Sequence, residues 1–145
     1  MGNATILGPL GSSDFELPFF SFRVPAGFPS PAQDHLEQKI SLDELLDIHS
    51  PQTYVVRADG ESMTGVGIFD GDLMIVNRAL DPAPGEIVIA AINGEPVVKT
   101  FGRDGDQLVL RSENPKYPPR YILEGDELMI WGVVIRSIRT HRFYG

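Results

Sequence analysis

Two residues of this chain have the types and settings needed to cleave a peptide bond. Ser62 follows Gly60 in a short polar segment, and Lys99 lies inside an apolar run further along the chain. A serine hydroxyl becomes a nucleophile when a base removes its proton, and a lysine is such a base when burial keeps it neutral. A serine–lysine dyad is a known variant of the catalytic triad. The sequence therefore supplies both groups for acyl transfer.

The strand predicted around Lys99 would desolvate its amine. Because side chains alternate between the faces of a strand, Val97, Lys99 and Phe101 share one face. The pair Asn93-Gly94 between two apolar runs predicts a hairpin that leads into this strand. The alternative is a lysine whose apolar stem covers the core while its amine reaches water.

The turn that carries Ser62 has the composition of an oxyanion site. Gly60 permits a bend that exposes the serine hydroxyl, and the backbone N–H groups of Gly60, Glu61 and Ser62 are candidate oxyanion donors. An ordinary turn serine is the competing interpretation, because serine is common in turns.

Apolar runs between glycine-containing turns predict a mainly β fold for most of the chain. We expect strands at residues 54–56, 73–76, 87–92, 97–101, 108–110 and 128–138. Capping signals predict short helices at residues 30–38 and 41–46.

The N-terminal residues differ in composition from the rest. Residues 1–30 combine glycine, proline and phenylalanine, which predicts an extended, partly flexible arm. Residues 31–145 are expected to form one peptidase domain. The strand-rich core is expected to begin well after Gly27.

Composition excludes several classes of function. The 145 residues carry a net charge of −8, which argues against direct, specific binding to DNA. The absence of cysteine excludes disulfides and thiol catalysis. Carboxylates and histidines form no spaced metal motif, so neither a metal nor a cofactor is expected. Without a long apolar run or a signal-peptide pattern, we expect no membrane segment and a cytoplasmic location.

Several motifs in combination resemble the LexA/UmuD family of self-cleaving Ser-Lys peptidases. They are Gly60-Glu61-Ser62-Met63, residues 67–72, residues 85–88 and the hairpin to Lys99. Ala26-Gly27 resembles the scissile dipeptide of the family. The resemblance implies a bent, partly barrel-like β fold similar to LexA and signal peptidases, with Ser62 as nucleophile and Lys99 as general base.

Only 26 residues precede Gly27, and their composition does not suit a helical DNA-reading domain, so the chain resembles the UmuD branch. That resemblance implies a homodimer of the SOS DNA-damage response. A RecA filament on single-stranded DNA would stimulate cleavage at Ala26-Gly27, and the product would be the accessory subunit of a translesion polymerase, bound to a UmuC-type subunit. The alternative is a dimeric interaction module with slow or vestigial cleavage, in which four phenylalanines of the arm form a docking surface: Phe19, Phe20, Phe22 and Phe28.

Overall fold

The computed structural model of the protein describes residues 3–9, 16–20, 36–47 and 50–142. The chain forms two compact units, one of residues 1–10 with 50–145 and the other of residues 11–49. Within the described ranges, no helix is long and apolar enough to cross a membrane.

The larger unit contains one antiparallel sheet of eight strands that curls into a half-barrel. Its strands are β1 (Ala4–Pro9), β4 (Thr53–Ala58), β5 (Leu73–Asn77), β6 (Ile87–Ile92), β7 (Glu95–Asp104), β8 (Gln107–Arg111), β9 (Arg120–Tyr121) and β10 (Leu128–Ile138). Their order across the sheet is β1-β4-β5-β10-β6-β7-β8-β9. The predicted mainly β fold class is confirmed.

The smaller unit contains two paired strands and one helical turn. Strand β2 (Glu16–Phe20) pairs antiparallel with β3 (Leu36–Ser41), and α1 (Leu42–Leu45) follows directly. The helix expected at residues 30–38 is wrong from Leu36 onward, because backbone pairing with a distant segment overrides the local capping signal; residues 30–35 lie outside the described residues. The helix expected near Ser41 is present, although Ser41 makes no side-chain cap bond.

Strands β6 and β7 are covered on both faces. Val97 and Phe101 belong to one apolar cluster, whereas Val98 belongs to another on the opposite face. This follows from the two-residue period of the strand. The Asn93-Gly94 hairpin is confirmed, since both residues have positive φ, 52° and 85°, as a type I′ turn requires. It sets the register in which Lys99 lies opposite Val88.

The large sheet begins with a strand that the sequence did not indicate. β1 pairs with β4 as the outermost strand, and Ala4 is buried in the core. The expectation that the strand-rich core begins after Gly27 is therefore wrong for residues 4–9. Because β1 is an edge strand, the seven strands from β4 to β9 across the sheet remain paired to one another without it.

Candidate active site

Ser62 lies in the turn that follows β4. Gly60 has a φ of +83°, in the left-handed region that glycine adopts without strain. The bend brings Ser62 to a buried position, 6% exposed, just before a short 3-10 helix at Thr64–Val66. The glycine signal in the sequence thus indicated the turn correctly, but the predicted exposure of the serine is wrong, because Asn3 and the loop at residue 113 cover it.

A second turn, at residues 69–72, braces the first. The Gly60 N–H donates to Asp70 Oδ1 at 2.7 Å, and the Gly71 N–H donates to the Ala58 carbonyl at 2.8 Å. Asp72 in turn accepts from the Phe69 N–H at 2.9 Å. The two aspartates therefore act as turn residues, and the Gly60 N–H is engaged away from Ser62.

Arg139 fastens the end of the last strand to this second turn. Its guanidinium donates to the Asp72 carboxylate at 3.0 Å and to the Gly67 carbonyl at 2.7 Å, and it stacks 4.0 Å from the centre of the Phe69 ring. Burial alone would raise the pKa of Asp72, but hydrogen bonds from Arg139 and the Phe69 N–H hold that pKa below its ordinary value.

The loop after β8 supports the nucleophile turn from another direction. The Glu113 N–H donates to the Ser62 carbonyl at 2.7 Å, and the Gly65 N–H donates to the Glu113 carbonyl at 2.7 Å. Asn114 Nδ2 donates to the Glu61 carbonyl at 2.9 Å. A Cβ on Gly65 would collide with the Glu113 carbonyl oxygen, so this close approach requires glycine.

Lys99 lies in the middle of β7, flanked on its own face by Val97 and Phe101, each 7% exposed. Its Nζ donates to Ser112 Oγ at 2.9 Å. Burial lowers the pKa of Lys99 from its ordinary value, as the sequence predicted. A lowered pKa makes the neutral amine more available near working pH.

Asn3, which the sequence analysis did not single out, contacts both Ser62 and the strand of Lys99. Its Nδ2 donates to Ser62 Oγ at 2.8 Å and to the Val98 carbonyl at 3.1 Å. The Val98 N–H donates to Asn3 Oδ1 at 2.6 Å. No local pattern marks this residue, because its partners lie 59 and 95 positions away.

Two hydrogen-bonded routes thus connect the predicted nucleophile with the predicted base. One runs from Ser62 through Asn3 to Val98, the neighbour of Lys99. The other runs from the Ser62 backbone to Glu113 and, through the adjacent Ser112, to the Lys99 amine. The predicted scissile pair, Ala26-Gly27, lies outside the described residues.

A cleft of about 300 Å³ opens beside Lys99. Its lining combines apolar, amide and charged side chains: Ile92, Asn93, Glu95, Val97, Lys99 and Arg120. Arg120 is held by Asp126 at 3.0 Å. A cleft that combines apolar and polar side chains is a suitable surface for an extended peptide.

Comparison with known proteins identifies the family. A profile for Peptidase S24-like proteins matches residues 18–135. Protein SamA of Salmonella typhimurium is 42% identical over 125 residues, which cover 86% of both chains. Protein MucA of Escherichia coli is 38% identical over 132 residues, again covering 86% of each. LexA repressor 1 of Pseudomonas putida is 40% identical over 118 residues, 81% of this chain and 58% of the repressor.

These matches confirm the predicted resemblance to LexA and UmuD proteins and support a serine peptidase. They also confirm the predicted function at the level of the family, as a UmuD-like accessory protein of SOS mutagenesis and translesion synthesis in a family that cleaves itself. The curled β sheet, the buried serine turn and the desolvated lysine agree with that assignment, and the chain belongs to the Peptidase S24-like family.

Proposed function

We propose that this protein cuts its own Ala26-Gly27 bond with a Ser62–Lys99 dyad. The observation that carries the proposal is the setting of Lys99, whose burial lowers its pKa while Ser112 supplies a polar partner. A lysine held this way is suited to remove a proton from a serine hydroxyl.

In the first half of the reaction, Ser62 Oγ attacks the Ala26 carbonyl carbon while neutral Lys99 takes the hydroxyl proton. The N–H groups of Glu61 and Ser62 stabilise the oxyanion. The Gly60 N–H, the third candidate donor, is used by Asp70 instead. The tetrahedral intermediate collapses, the bond to the Gly27 nitrogen breaks, and Lys99 returns its proton to that amine. The product is an ester between Ser62 and Ala26.

In the second half, water attacks the ester carbonyl and Lys99 accepts the water proton. The Ala26–Ser62 bond then breaks, Lys99 returns the proton to Ser62 Oγ, and Ala26 leaves as a carboxylic acid that gives its remaining proton to water. In the structure Ser62 bonds to Asn3 and Lys99 bonds to Ser112. The reaction therefore requires Ser62 Oγ to donate to the lone pair of Lys99, whose N–H can keep its bond to Ser112.

Cleavage would convert an inactive precursor into the working accessory subunit. In this proposal residues 1–30 form the regulatory arm and residues 31–145 the peptidase domain, which acts as a homodimer in the cytoplasm. A RecA filament on single-stranded DNA stimulates the cut, and a UmuC-type polymerase subunit binds the product. The net charge of −8 favours contact with protein partners over direct, specific contact with DNA.

Mass spectrometry of the purified full chain after alkaline incubation tests the reaction. We expect a product that begins at Gly27, and we expect Ser62→Ala and Lys99→Ala each to abolish it. Ser50→Ala and Lys116→Ala are matched controls that change the same residue types elsewhere and should still be cut. Gly27→Glu should block cleavage because bulk at that position prevents close approach to the dyad.

Ordinary cleavage by Ser62→Ala protein would refute the mechanism. A wild-type chain that stays intact even with a RecA filament would favour the alternative, a dimeric module that binds partners without cleaving itself.

A further inference from the structure

The side chain of Asn3 pairs with the backbone of β7 at Val98, next to Lys99, at a point that β8 does not reach. Strand β8 pairs with β7 from Thr100 to Asp104, so it does not reach Val98. Alternate residues of a strand direct their backbone groups to opposite sides. Val98 directs both its N–H and its carbonyl to Asn3, at 2.6 Å and 3.1 Å.

A primary carboxamide offers the same donor and acceptor as a peptide group. On Val98, Asn3 therefore makes the pair of bonds that an added peptide strand would make at a sheet edge. The same Nδ2 lies 2.8 Å from Ser62 Oγ, so the amide reaches both the strand edge and the nucleophile.

β1 holds this amide in place. The Asp59 N–H donates to the Asn3 carbonyl at 2.8 Å, and the strand that follows Asn3 pairs with β4 along its length. Thr5 adds a side-chain bond to Asp59 at 2.9 Å. Asn3 is thus anchored by its own backbone while its side chain spans to β7.

We propose that the Asn3 carboxamide is a built-in competitor of the cleavage segment. It occupies the position on Val98 that a peptide group near Ala26-Gly27 takes during cleavage, and it donates a hydrogen bond to the Ser62 oxygen that must attack. The inference rests on the proposed self-cleavage. Cleavage is then slow until Asn3 withdraws, and whatever displaces Asn3 accelerates the cut.

The rate of self-cleavage at alkaline pH tests this competition in the full-length chain. We expect Asn3→Ala to be cut about tenfold faster, since it loses three hydrogen bonds of modest net strength. Asn3→Asp should also be faster, because a carboxylate cannot donate to Ser62 Oγ or to the Val98 carbonyl. Ile6→Ala shortens an exposed side chain of the same strand, 46% exposed, and should be cut at the wild-type rate.

If both Asn3 variants are cut at the wild-type rate or more slowly, Asn3 assists the reaction or is neutral, and the competition is refuted. A second measurement separates this result from a failure of the proposed function. In ¹⁵N-labelled protein the side-chain amide of Asn3 should exchange slowly with water. Exchange at the rate of an unstructured asparagine refutes the inference even if the chain cleaves. Slow exchange in a chain that never cleaves shows that the Asn3 contacts exist and that the proposed cleavage is the part that fails.

Discussion

Ser62 and Lys99 lie in surroundings of opposite character, the first polar and the second apolar. The turn around Ser62 is supported by Asn3, by Asp70 and by the loop at residues 113–114. Lys99 has apolar neighbours and one hydroxyl partner, Ser112. Hydrogen bonds fix direction, whereas burial shifts the equilibrium between charged and neutral forms. Hydrogen bonds therefore position the proposed nucleophile, whereas burial lowers the pKa of the proposed base.

The largest effect should come from breaking the polar support. Gly65→Ala would place a methyl group against the Glu113 carbonyl oxygen and force the turn away from its bracing loop. We expect a loss of about 2 to 3 kcal/mol of unfolding free energy, as for other overpacked sites, together with a loss of cleavage. Urea denaturation and the cleavage assay measure the two effects. Gly102→Ala is the matched control, because its Cβ would meet Val109 Cγ1 at 3.4 Å; an equal loss there would show that position 65 has no special role.

A smaller effect should follow from changing the surroundings that set the pKa of Lys99. Because burial lowers the pKa of Lys99 from 10.5, the cleavage rate should rise with pH and reach its midpoint below that value. Ser112→Ala removes the oxygen that accepts from the ammonium form, so the midpoint should move to lower pH. The plateau rate should fall about tenfold as the amine loses its orientation, a loss typical of one hydrogen bond. Ser137→Ala, on an exposed part of β10, should leave the profile unchanged; an unchanged profile in Ser112→Ala would remove Ser112 from the site.

The smallest effect should be a gain in stability. Below its folded pKa, Lys99 is protonated in both states but is partly desolvated only in the folded chain, so folding is opposed at neutral pH. Lys99→Met removes that penalty while filling a similar space, and we expect a gain of about 1 kcal/mol near pH 7. The gain should shrink as pH rises toward 10.5, where the unfolded lysine also loses its proton. Thermal denaturation across pH measures it, and Lys116→Met, at an exposed lysine, is the matched control.

The sequence predicted those parts of the fold whose signals are local. Apolar runs and the Asn93-Gly94 turn located β4 to β8 and β10, because each depends on a short pattern. β1 escaped notice, since its pairing partner is some 50 residues away and Gly8 and Pro9 weaken its strand pattern. The capping signal at residues 30–31 predicted a helix through Gln38, but residues 36–38 belong to β3, which pairs with β2.

The same distinction applies to the site. Ser62 and Lys99 were identifiable because a glycine turn and an apolar face surround them in the sequence. Asn3, Ser112 and Asn114 were not, because their contacts join segments brought together only by the folded sheet. Polar residues that act at long range have no characteristic spacing.

Because β1 lies on the N-terminal side of Ala26, the proposed cut would be irreversible: it separates β1 from the rest of the chain. Before cleavage, β1 is tethered to the sheet and its effective concentration is about millimolar. After the proposed cleavage, β1 would be a separate peptide, present only at the concentration of the protein itself. Dilution would then favour its dissociation from the sheet. Asn3 would leave with β1, so the cleaved protein would lack both the competing side chain and the intact cleavage segment. It would therefore stay in the cleaved state after the stimulus has gone.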